Sequence, residues 1–144
     1  MRPAIEISQK IFLAYSAMCK PLCRELELPQ TAFDILMFLG NNPDYKTARD
    51  IVELRHIKAN LVSVNVDRLV REGYLVRSQP PGDRRKTALS CTGKAQPILE
   101  RGRRLQADFL RQLLANTDEE ARETFWQVLG VIGDNSEQIL KEHP

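Results

Sequence analysis

The stretch from Gly73 to Cys91 most constrains this chain, because it interrupts an otherwise helical pattern with hairpin chemistry. Tyr74–Gln79 and Lys86–Cys91 read as two strands, and Pro80-Pro81-Gly82-Asp83 between them reads as a turn. Gly73, just ahead, reads as the left-handed stop of a helix over 58–72, with Val62, Val66, Leu69 and Val70 inward. Before that helix, Thr47-Ala48-Arg49-Asp50 resembles a capping box with a shorter acid at its fourth place, and it opens a short helix through about Leu54. Two short helices with a tight link at Arg55–Ile57, the second presenting polar side chains, make a helix-turn-helix.

The flanks are helical. Residues 3–26 place Ile5, Phe12, Cys19 and Leu26 seven apart, with Tyr15 and Leu22 in the seam, and Pro21 is expected to kink the helix. Pro29 suits the first turn of a second helix, which buries Phe33, Leu36, Met37 and Leu39 and stops at Gly40-Asn41-Asn42-Pro43. Thr92 is expected to cap a fifth helix with Ile98, Leu105, Phe109 and Leu113 inward, and Pro97 to kink its first turns. Thr117-Asp118-Glu119-Glu120 reads as a capping box for a sixth helix carrying Ala121, Phe125, Val128, Leu129, Ile132, Ile139 and Leu140 on one side.

The expected fold is therefore mainly α with a small β-hairpin wing: a winged helix-turn-helix flanked by N- and C-terminal dimerisation helices. Residues 1–144 are read as a single domain, with a DNA-binding lobe over 30–91 and dimerisation helices over 1–28 and 92–144. The long apolar stripes exceed what one small winged helix covers, and pairing across a two-fold axis would bury them. Gly130 and Gly133 fit a close helix approach and fit mere tolerance equally well.

Charge is distributed unevenly. The net charge is +2, yet residues 68–104 hold ten basic and three acidic side chains, for +7, while residues 105–144 hold three basic and eight acidic, for −5. Such asymmetry points one surface toward a polyanion. Hydrophobic residues at 42% and charged residues at 28% argue against disorder. No apolar run approaches the roughly 20 residues of a membrane span and no signal-peptide stretch opens the chain, so the expected place is the cytoplasm, at the nucleoid, with no membrane partner. Cys19, Cys23 and Cys91 have neither disulfide-framework nor metal spacing, and His56 and His143 lack partner ligands. No metal or cofactor is expected. No nucleophile–base pair or phosphate loop appears, which argues against an enzyme.

The remaining constellation suits double-stranded DNA. The outward positions of the second short helix are Lys58, Asn60, Ser63, Val64, Asp67, Arg68 and Arg71, which include residue types that meet base edges and phosphates. At the hairpin tip, Arg84, Arg85 and Lys86 suit the negative potential of a minor groove, with Asp83 placed to orient Arg85. Asp83-Arg84-Arg85 followed by Leu89 and Thr92, together with Val66-Asp67-Arg68-Leu69-Val70-Arg71-Glu72-Gly73-Tyr74-Leu75, resembles the MarR (multiple antibiotic resistance regulator) family. The resemblance spans nearly the whole chain. It implies a homodimeric bacterial transcription regulator, usually a repressor, that binds a pseudo-palindromic operator and answers to small phenolic, aromatic or oxidising signals. It also implies that Arg85 is the groove-inserting wing arginine and Asp83 its orienting partner, and that Asn65, at a place the family usually keeps apolar, is packed.

Two further sets of residues stay open at this level. Tyr15, Met18, Phe33 and Met37 are candidates to line an effector pocket between the first, second and fifth helices, or are plain core. Cys19 and Cys23, one helical turn apart, are candidates for thiol-based redox sensing, or are inert buried thiols. As an alternative to DNA binding, the same wing would serve a winged-helix protein-interaction module with an acidic partner.

Overall fold

A computed structural model describes residues 3–82 and 85–144. Along the chain run α1 (Ala4–Leu26), α2 (Gln30–Asn41), α3 (Ala48–Arg55), α4 (Ala59–Arg71), β1 (Leu75–Ser78), β2 (Ala88–Cys91), a 3-10 turn (Gly93–Ala95), α5 (Gln96–Leu113) and α6 (Glu119–Glu142). The strands form one antiparallel hairpin with Leu75 opposite Cys91 and Ser78 opposite Ala88. The expected mainly helical fold with a hairpin wing is present. The chain divides into two compact units, one ending at Phe109 and one spanning Leu110–Pro144.

In the first unit, α2 is the centre. Phe33, Ile35 and Leu36 are fully buried, and Met37 and Leu39 nearly so, which makes this helix apolar on almost every side. Around it collect Cys19, Leu22 and Cys23 of α1, Val62, Val66 and Leu69 of α4, and Ile98 and Leu99 of α5. Two glycines let α2 and α5 approach closely. A Cβ on Gly40 would lie 2.5 Å from Leu99 Cδ2, and one on Gly102 would lie 2.3 Å from Met37 Sδ and 3.2 Å from Phe33 Cζ.

Several local expectations need correction. The end of α2 does fall within Gly40-Asn41-Asn42-Pro43, with Gly40 inside the last turn and the stop made at Asn42, whose backbone N–H and side-chain amide both donate to the Phe38 carbonyl. Pro97 sits in the first turn of α5, where its missing donor costs no helical bond, so no kink is required. Thr92 does not cap with its side chain; its hydroxyl donates to the Gly73 carbonyl at 2.6 Å and so ties the end of the hairpin to its start. The cap of α6 falls one residue later than expected, on Asp118, whose carboxylate accepts from Ala121 N–H at 2.7 Å, while Thr117 donates back to Leu114.

The stripe of α1 is split by burial. Cys19 is fully enclosed, whereas Ile5 and Phe12 are 71% and 63% exposed. Pro21 lies within α1, which continues through it and ends at Glu27 in the left-handed region, φ 54°. In the second unit, α6 buries none of its residues; Trp126, Val128, Leu129, Val131, Ile132, Ile139 and Leu140 are exposed. A Cβ on Gly130 or Gly133 would meet nothing within 4 Å.

Candidate nucleic-acid interface

The helix-turn-helix is held by local chemistry that the sequence spells out. Thr47 Oγ1 accepts from Asp50 N–H at 3.1 Å, and the Asp50 carboxylate accepts from the backbone N–H of Thr47 and Lys46 at 3.0 Å each, completing the capping box of α3. Ile51 anchors α3 in the core, and His56, in the left-handed region at φ 52°, turns the chain into α4. Val62, Val66 and Leu69 fasten α4 from within. Its other face leaves Lys58, Asn60, Ser63 and Val64 exposed together.

Two polar residues of α4 are used internally. Asn65 is buried, and its amide donates to the Leu61 carbonyl at 2.8 Å, so it is packed and satisfied. Arg68 is the candidate that the structure separates from the outward row. Its guanidinium donates to the Glu27 carbonyl at 2.7 Å and to Glu72 at 3.3 Å, fastening α4 to the link after α1.

Gly73, at φ 85°, ends α4 with a Tyr74 N–H to Leu69 carbonyl bond of 2.8 Å, which satisfies an orphan helix carbonyl. Leu75 and Leu89 bury the root of the hairpin, and Leu89 N–H donates to the Lys46 carbonyl at 2.6 Å. Lys94 donates to the Glu72 carbonyl and lies 4.6 Å over the Tyr74 ring, closing the root from outside. At the tip, Gly82 takes φ 88°, as turn geometry requires of a glycine, and Arg85 and Lys86 are exposed. Asp83 and Arg84 lie outside the described residues.

Sequence reasoning missed one contact of this site. Arg77 on β1 donates to the Asp67 carboxylate on α4. Opposite charges on either side of the Gly73 turn were the available signal. Near this pair, α3, α4 and the hairpin enclose a cavity of about 430 Å³, with Val52, Val62, Val66 and Leu89 among its walls.

The candidate effector residues do not meet in one described cavity. Phe33 and Met37 are buried in the core beside Gly102. Tyr15 packs edge-on against Phe109 at 5.2 Å and accepts a hydrogen bond from Gln106 at 3.1 Å. Met18 lines a separate cavity of about 330 Å³ with Leu22, Glu25, Arg101 and Leu105. Cys19 and Cys23 are both buried, and burial pushes both thiols up, Cys23 to about 11. A neutral thiol is a poor nucleophile, so this environment does not favour a peroxide-reactive cysteine. Close by, burial raises the Asp34 carboxyl to about 6, against an opposing pull from Arg55.

Among the described residues, no group of three His, Cys, Asp or Glu is placed to hold a metal ion, and no helix is long and apolar enough to cross a membrane.

Residues 26–86, covering the helix-turn-helix and most of the wing, match the model of the MarR family. No curated protein matches the chain. Among solved structures, a MarR family transcriptional regulator from Listeria monocytogenes, complexed with a 26mer DNA, superimposes with a TM-score of 0.86 at 16% identity, covering 99% of this chain and 97% of that one. The transcriptional regulator SlyA gives a TM-score of 0.88 at 15% identity, covering 99% and 100%. A MarR protein from Peptoclostridium difficile gives 0.84 at 16% identity, covering 97% and 91%.

Proposed function

We propose that this chain, a winged-helix protein of the MarR family, binds double-stranded DNA sequence-specifically as a homodimer and regulates transcription, as a repressor released by a small-molecule signal. The observation that carries the reading is the outward face of α4. Lys58, Asn60, Ser63 and Val64 stand exposed on a helix whose opposite side is fixed in the core, with the wing cations Arg85 and Lys86 on the hairpin that follows. The DNA seen with the Listeria regulator, which shares this fold, supports it further. Regulators of this family are DNA-binding proteins rather than enzymes.

In this mechanism α4 enters the major groove. Asn60 and Ser63 meet base edges, Val64 offers an apolar contact to a thymine methyl, and Lys58 meets phosphate. The wing reaches the adjacent minor groove, where Arg85 gains from the concentrated negative potential. The exposed apolar residues of α1 and α6 would be covered by a second copy, and a two-fold axis would set two recognition helices about 34 Å apart on a pseudo-palindromic operator. A small aromatic or phenolic effector would release DNA by favouring a dimer geometry that mismatches this spacing, to the extent of its differential affinity for the two states.

The test is fluorescence anisotropy with duplex DNA from upstream of the chain's own gene, titrated at several salt concentrations against unrelated competitor. A steep salt slope with poor competition is expected, since phosphate contacts release counterions. Arg85→Ala should weaken binding by about 1–3 kcal/mol without unfolding the protein, and Ser63→Ala should change which operator variants are preferred. A shallow slope and full competition would instead favour a protein-interaction module.

A further inference from the structure

We infer that Asp67 and Arg77 are a positioning pair that fixes the tilt of the wing over the recognition helix, acting on DNA through the wing rather than by touching it. Only the last step rests on the DNA-binding reading above; the pair itself is a property of the protein without DNA.

The root of the hairpin is held by burial and hydrogen bonds. Leu75 and Leu89 are 2% and 4% exposed, and Thr92 closes onto Gly73. On β1, Val76, Arg77 and Ser78 are exposed. At the level of Arg77 its partner Leu89 is buried and donates to the Lys46 carbonyl, so β2 is pinned toward the start of α3. Toward α4, a cavity of about 430 Å³ with Val62, Ser63 and Val66 among its walls takes the place of close packing. Apolar contact therefore does not by itself fix how far β1 leans toward α4. The Arg77–Asp67 contact spans this seam, joining β1 directly to α4. A charge-assisted hydrogen bond between a guanidinium and a carboxylate is directional, so it can set an angle that a loose apolar wall cannot.

Both side chains are about half exposed, so the pair adds little to global stability. Its consequence lies in geometry: it holds Arg85 and Lys86, at the far end of the same hairpin, at one distance from the reading face of α4.

The sign of one substitution separates this role from simple electrostatics. Asp67 lies on the face of α4 that carries the reading residues, and removing a negative charge there would tighten DNA binding if charge alone mattered. A positioning pair makes the opposite forecast. Asp67→Asn should weaken binding about fivefold, and Arg77→Gln added to it should cost little more, because the two residues act through one contact. In the protein without DNA, residual dipolar couplings of the hairpin amides should shrink relative to those of α4 in either single variant, while the melting temperature stays within a few degrees of wild type, as about half-exposed pairs allow.

Tighter binding by Asp67→Asn would overturn the proposal. So would losses that simply add, which would place Arg77 directly on a phosphate. Unchanged hairpin couplings in both variants would overturn it as well. If wild-type protein binds no duplex specifically, the regulatory reading fails, while the couplings still decide whether the pair sets the tilt.

Discussion

At the scale of single residues, Asp34 is, among the described residues, the carboxylate that burial pushes furthest up. Burial raises its carboxyl to about 6 from an ordinary 3.8, against an opposing pull from Arg55. The folded state therefore holds this proton more tightly than the unfolded chain does. Stability from the group is complete below about pH 4 and is lost as the pH rises through 6, because between those values the native state binds more protons. Asp34→Asn should raise the melting temperature at pH 7 by a few degrees, and the advantage should disappear by about pH 4. Thermal melts of the two proteins at three pH values decide it, and an advantage that persists in acid would mean the carboxyl is not the cause. Little of this was legible in the sequence. Phe33, Leu36 and Met37 announced a buried face, but Asp34 falls between them, and its desolvation depends on where α1 lies. By contrast, Thr47 and Asp50 were readable as a cap because both halves of the contact are local.

At the scale of elements, the crossing of α2 and α5 shows what a linear pattern conceals. Gly40 precedes Asn41-Asn42-Pro43 and so looks like a helix stop; its actual role depends on Leu99, far along the chain. Gly102 looks like a weak point in α5, yet it is buried against Met37 and Phe33. Gly102→Ala should therefore destabilise the fold by about 1–3 kcal/mol from overpacking, less the roughly 1 kcal/mol that alanine contributes to a helix. Chemical denaturation measures this, and a mutant as stable as wild type would show that Met37 moves aside without cost. The helix-turn-helix and hairpin were legible because caps, turns and period lie within short windows. The Asp67–Arg77 contact was not, since it depends on how strand and helix meet after Gly73.

At the scale of the whole molecule, the exposed apolar residues of α1 and, separately, of α6 are the main observation. Ile5, Phe12 and Leu13 on α1, and Val131, Ile132 and Ile139 on α6, are each more than half exposed. Sedimentation should give twice the chain mass at micromolar concentration, and Phe12→Glu combined with Ile132→Glu should give single chains that bind DNA far more weakly. A monomeric wild type would remove the two-fold operator argument. The sequence signalled this surface through the spacing of Ile5 and Phe12, because a stripe longer than its own core needs another helix.

The division of labour within α4 has a consequence for how such proteins diverge. Val62, Val66 and Leu69 hold the helix in place, while Lys58, Asn60, Ser63 and Val64 take no part in the core. Substitutions at Asn60, Ser63 and Val64 are close to neutral for folding, since surface changes away from caps and networks usually shift stability by only about 0.5 kcal/mol; Lys58 stands at the N-cap of α4, where a change also bears on the helix start. On the proposed reading of α4, mutation can therefore explore new operator sequences without first crossing a valley of unfolded intermediates. The same backbone is shared by solved structures at TM-scores of 0.84 to 0.88 although their identity to this chain is only 15–16%.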